Sequence, residues 1–97
     1  MKTLADLKRR MREGTEVIIS EHKYPALNGR RRVVKAQSAR WCLSLPADHP
    51  RAAITEGSWV DAPKARDVDF LADGSVVLYD AGTRDVFLRL VFAEEEG

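Results

Sequence analysis

Cysteine occurs once in the 97 residues, at Cys42, so no internal disulfide can form and no pair stands at a metal-ligand spacing such as C-x-x-C. Stability must therefore come from packing, and a reducing cytoplasm is the expected compartment. No apolar run approaches the ~20 residues needed to span a bilayer, so no membrane is expected as a partner. The basic N-terminus has no apolar stretch behind it, and no secretory signal is visible. The two histidines, His22 and His49, are isolated. The six glycines are scattered as turn residues and do not gather into a phosphate loop. Nucleotide, nucleophile-elbow and zinc-protease signatures (G-x-x-x-x-G-K-[ST], G-x-S-x-G, H-E-x-x-H) are all missing. These absences lead us to expect a protein that is not an enzyme and uses no cofactor and no metal.

What remains is ordinary in bulk and uneven in detail. With 44% hydrophobic and 32% charged residues, the chain has the composition of one folded domain with one core. The net charge of +1 hides a division. Residues 1–51 hold twelve Lys or Arg against five Asp or Glu, a charge of +7; residues 52–97 hold four against ten, a charge of −6. Such asymmetry points to a charged partner or to two electrostatic faces.

A helix is expected at about 3–13, a β-rich body over 15–93 and a frayed acidic tail at 94–97. Leu4, Leu7 and Met11 form one apolar stripe at helical spacing, Thr3 is a natural N-cap with Asp6 three residues on, and Gly14 is a stop. Strands are expected at Thr15–Ser20, Arg30–Gln37 and Arg40–Leu45, the last two joined as a hairpin through Ser38-Ala39 or as one long bent strand. A loop over 46–57 leads to a short element, Ser58–Ala62, stopped by Pro63. Three strands then close the chain: Asp67–Leu71, Ser75–Tyr79 and Val86–Ala93. Asp73-Gly74 is a strong hairpin signal, and Val86, Leu88, Leu90 and Phe92 alternate against Phe87, Arg89 and Val91. One helix followed by five or six short strands suggests a mainly β (α+β) fold: a small antiparallel SH3-like barrel or strongly curved sheet, with an OB-like barrel second.

The candidate binding residues begin with Arg30, Arg31, Arg32, Lys35 and Arg40 on the second and third strands. Strand alternation places Arg30 and Arg32 together, with Arg31 and Lys35 on the other side. Arginine forks grip phosphates, and an exposed Trp stacks on unpaired bases, so this segment reads as a nucleic-acid-binding patch. The opposing reading is an edge strand guarded by charge, and a pI of 7.9 is low for a dedicated nucleic-acid binder. Trp41 shares a face with Leu43 and Leu45 and belongs to the core. Trp59 and Tyr24 are loop-adjacent aromatics suited to anchoring a partner. Asp61, Asp67 and Asp69 form an alternative acidic face. They would either gather around a divalent metal or mimic phosphates in the groove of a nucleic-acid enzyme. Cys42, on an alternating strand, reads as a small core residue.

The stretches Gly14-Thr15-Glu16-Val17-Ile18-Ile19, Leu27-Asn28-Gly29 and Arg32-Val33-Val34-Lys35 resemble the opening of a KOW or SH3-like barrel. They cover about a quarter of the chain and lack the usual closely spaced glycines. In such barrels, loop aromatics often line the binding groove. Ser58-Trp59-Val60-Asp61-Ala62-Pro63-Lys64-Ala65 resembles a pattern in small proteins of actinobacterial phages and plasmids. That resemblance implies an accessory protein of a mobile element, of the kind that binds host or phage macromolecules or inhibits defence nucleases. Two partner classes follow: nucleic acid, held by the basic strand and turn, or a host nucleic-acid-processing protein, held through a charged face. A homodimer joining the basic half of one subunit to the acidic half of another is a third.

Overall fold

The computed structural model describes residues 2–93, so the acidic tail lies outside the described residues. One short helix precedes seven strands: α1 (Leu4–Arg10), β1 (Glu16–His22), β2 (Gly29–Ala36), β3 (Arg40–Leu43), β4 (Ser58–Asp61), β5 (Val68–Phe70), β6 (Val76–Tyr79) and β7 (Val86–Phe92). The strands form one antiparallel sheet in the order β4-β3-β2-β1-β7-β6-β5. The short element at residue 58 is thus a full member of the sheet.

The sheet is curled. Val60 on β4 and Val68 on β5 stand at its opposite edges yet belong to one core with Val17, Val33, Trp41, Leu78, Leu88 and Phe92. A flat sheet of this size would hold its outer strands roughly 29 Å apart. Leu7 of helix α1 and Met11, just past its end, join that core. Thr3 caps the helix, its hydroxyl accepting from the Asp6 N–H at 3.2 Å, and Lys8, Arg9 and Arg10 occupy the last turn, where cations complement the helix dipole. The helix ends at Arg10, earlier than its apolar stripe suggests. Met11 leaves helical geometry at ψ 74°, and Gly14, at φ +91°, turns the chain so that its N–H reaches the Val33 carbonyl at 2.8 Å.

Three extra residues reset the faces of the strands. In β1, Ile19 pairs with Leu90 but Glu21 pairs with Arg89, so Ser20 is the additional residue. That shift turns His22 inward opposite Leu88, where it is buried. In β2, Val33 pairs with Leu43 but Lys35 pairs with Cys42, leaving Val34 unpaired. In β7, Leu88 pairs with Leu78 but Val86 pairs with Tyr79, leaving Phe87 unpaired. The simple alternation expected for Val86–Phe92 therefore stops at Leu88. Phe87, rather than Val86, packs against the core.

Candidate functional site

The basic strand is divided between two faces. Arg31 lies on the face of Val17 and Val33, half-buried, and its Nε is buried without a hydrogen-bond partner. Arg30 and Arg32 point the other way and are exposed. Lys35 does not join Arg31 as alternation implies. The extra residue Val34 sets it opposite Cys42, on the outer face of Arg30 and Arg32. Local acids answer this face: Arg30 bonds Glu16 at 2.7 Å and Lys35 pairs with Glu56 at 3.1 Å. Arg40 bonds the Gln37 side chain at 3.3 Å and stacks on Trp59, its guanidinium carbon 4.2 Å from the ring centroid.

The three carboxylates of the alternative acidic face go separate ways. Asp61 stands exposed at the end of β4. Asp67 is not on a strand; it closes a 3₁₀ turn, Ala65–Asp67, and is buried, accepting from the Gly82 N–H at 3.2 Å. Asp69 accepts from the Tyr79 hydroxyl and from Arg84, each at 2.7 Å. The Tyr79 hydrogen bond, and after it the Arg84 one, hold the Asp69 carboxyl below its ordinary range. Among the described residues no three His, Cys, Asp or Glu side chains gather as metal ligands do.

A different convergence is built by the curl. The sheet leaves a cleft of about 440 Å³ beside β4, between that strand and the ends of β6 and β7. Trp59, Val60 and Asp61 form one wall, and Ala62, Pro63, Lys64 and Asp67 continue it. Leu78, Tyr79, Asp80, Ala81 and Phe87 form the other, with Tyr24 from the loop after β1. Four of the residues singled out in the sequence, Tyr24, Trp59, Asp61 and Asp67, thus line one cleft, while Arg30, Arg31, Arg32, Lys35 and Asp69 stand away from it. Arg40 touches it only through the Trp59 ring.

Two aromatic residues of the second wall were not anticipated. In the sequence Tyr79 and Phe87 each fall out of step with the expected core-facing residues of their strands, and that offset is their one signal; in the fold the extra residue of β7 brings Phe87 against the core. Behind the cleft, His22 packs its ring 5.2 Å from that of Phe87 and 5.8 Å from that of Tyr24. Its Nδ1 accepts from the Tyr24 N–H at 2.9 Å, which fixes the loop carrying Tyr24. Burial lowers the His22 pKa and keeps the ring neutral. Tyr24 itself is 57% exposed, a large aromatic surface presented to solvent at the cleft mouth.

Chemically the cleft is aromatic and acidic. It offers four aromatic rings and three carboxylates against one ammonium group, Lys64. Asp80 is already paired with Lys23 at 3.0 Å, whereas Asp61 has no ion pair or side-chain hydrogen bond among the described residues. Cys42 is buried on the face of β3 that it shares with its cross-strand partner Trp59, where desolvation, and after it Glu56, raise the thiol pKa. No helix is long and apolar enough to cross a membrane among the described residues. No known family, curated protein or solved structure matches this chain.

Proposed function

We propose that this chain is a non-enzymatic binding protein that receives a partner protein in the cleft beside β4. The observation that carries this reading is the meeting of Tyr24, Trp59, Tyr79 and Phe87, from four separate stretches of chain, around one concave surface that Asp61, exposed and without an ion pair among the described residues, also lines. Half-buried aromatic rings gathered in a concave surface, here with exposed Tyr24 at the mouth, are typical anchors for protein partners. Of the four rings only Tyr24 stands on a loop, as the SH3-like reading expects of groove aromatics; Trp59, Tyr79 and Phe87 stand on strands. The resemblance of residues 58–65 to phage and plasmid proteins favours an accessory role in a mobile element, with a host nucleic-acid-processing enzyme as the target. Those residues supply one wall of the cleft.

A second reading keeps nucleic acid as the partner. It is favoured by the extra residue Val34, which gathers Arg30, Arg32 and Lys35 on one outer face. Against it, Glu16 and Glu56 already neutralise two of those three cations.

The two readings separate in one affinity capture from nuclease-treated host lysate, using the wild type, the cleft variant Tyr24→Ala/Trp59→Ala and the basic-face variant Arg30→Ala/Arg32→Ala. A stoichiometric protein lost only with the cleft variant supports the proposal. A partner lost only with the basic-face variant, or released by nuclease, overturns it in favour of the second reading.

A further inference from the structure

The cleft is bounded by something more specific than aromatic rings: an unpaired strand edge. Among the described residues β4 pairs with β3 and with no other strand. The Ala62 N–H donates to the Ala39 carbonyl at 2.9 Å, which identifies that cross-strand position as a hydrogen-bonded pair. Antiparallel ladders alternate with a period of two, so Val60 and Ser58 also turn their amides toward β3. Trp59 and Asp61 therefore turn their N–H and C=O groups away from β3, to the open edge that the cleft borders. Natural proteins usually blunt such edges with lysine, proline or a covering segment. Here Pro63 and Lys64 come only after the strand, and the exposed edge faces Tyr24, Tyr79 and Phe87 across the cleft.

We infer that the occupant of the cleft is an extended, basic segment of the partner protein, added to β4 as a further strand. The inference rests on the cleft being the docking site. Backbone hydrogen bonds to Trp59 and Asp61 supply the register, as in other strand-addition complexes. The charge selects the sequence: Asp61 has no ion pair among the described residues, while Asp67 is buried on the Gly82 N–H and Asp80 is held by Lys23, so a Lys or Arg side chain of the guest gains the Asp61 carboxylate and the aromatic faces. A second copy of this chain is a poor guest on the same grounds. Its basic strand, β2, is paired on both sides, and its two free edges, β4 and β5, carry Asp61 and Asp69.

The test is an anisotropy titration with a short labelled peptide of alternating valine and lysine, against the same peptide with glutamate for lysine and the same peptide N-methylated at alternate amides. Two variants separate charge from edge. Asp61→Asn removes only the carboxylate. Asp61→Pro also removes an N–H that points to the open edge and so leaves the β3 pairing intact. Circular dichroism and a thermal melt verify that both variants stay folded. We expect the basic peptide to bind, with affinity falling as salt rises, about five-fold weaker for Asp61→Asn and about ten-fold weaker again for Asp61→Pro. The glutamate and N-methylated peptides should not bind. Equal binding of the N-methylated peptide, or equal affinity of Asp61→Asn and Asp61→Pro, overturns strand addition. Preference for the glutamate peptide overturns the charge assignment, and self-association in light scattering that Asp61→Pro abolishes makes a second copy the occupant. If no peptide binds while the captured protein still depends on Tyr24 and Trp59, this inference falls and the cleft reading stands. If the captured protein ignores both residues, the cleft reading itself falls.

Discussion

Arg40 lies over the indole of Trp59, on directly neighbouring strands, with its guanidinium carbon 4.2 Å from the ring centroid. A residue that the sequence assigns to a phosphate-binding strand therefore acts on the cleft, holding one aromatic wall. Exposed cation–π pairs contribute ~0.5–1 kcal/mol. Arg40→Ala is expected to lower stability by about that amount in urea denaturation. It should also shift Trp59 emission and weaken cleft binding. An unchanged emission spectrum would show that the stacking does not persist in solution.

Gly57 is packed where no side chain fits. A methyl group there would strike the Leu43 carbonyl and approach the Cys42 sulfur to 2.6 Å. Gly57→Ala should cost ~1–3 kcal/mol, the usual range for overpacking. Because the Leu43 contact is backbone, adding Cys42→Ala should restore little. Full recovery of the melting temperature in the double variant would mean that the sulfur alone carries the clash.

His22 makes stability depend on pH. Its ordinary value is 6.5 and burial lowers it in the folded state, so the unfolded chain takes up the proton first. The neutral ring contributes fully above pH 6.5, and that contribution is lost as pH falls through the folded value. Asp6, Asp69 and Asp73 are held below 3.8, so their contributions persist above that pH and decline only in stronger acid. Urea midpoints should therefore fall as pH drops from 7 toward 5, and His22→Phe should flatten that slope. A slope unchanged in His22→Phe would assign the effect elsewhere.

Arg31 sits in an unfavourable place for a guanidinium, half-buried with Nε unpartnered. A buried polar atom left unsatisfied costs ~1–3 kcal/mol, so Arg31→Met is expected to leave stability unchanged or to raise it. A fall of more than ~1 kcal/mol in denaturant titration would reveal a bond to the rest of the guanidinium that outweighs this cost.

Much of this architecture was legible from local pattern. Thr3 and Asp6 announce the helix start, Asp73-Gly74 marks the β5–β6 hairpin with Gly74 at φ +90°, and the Ser38-Ala39 connection joins β2 to β3 as one of the two arrangements considered. Trp41 and Cys42 are both buried, each on its own face of β3. The extra residues Ser20, Val34 and Phe87 were not legible. None is a residue type that marks a bulge, yet each moves a neighbour across the sheet: His22 inward, Lys35 outward, Val86 away from Leu88. The cleft was half legible. Tyr24 and Trp59 stood out as loop-adjacent aromatics, but their meeting with Tyr79 and Phe87 depends on how far the sheet curls. That is set by long-range packing of Val60 and Val68 into one core, which local spacing does not encode.

The most direct test of the cleft as the binding surface is site-specific photo-crosslinking. A benzophenone side chain is placed at the exposed Tyr24 in one variant and at Arg32 in another, and both are irradiated in nuclease-treated host lysate. The account predicts one discrete protein adduct from position 24, suppressed by Trp59→Ala, and none from position 32. A discrete adduct from position 32 alone would contradict it and return the function to the basic face.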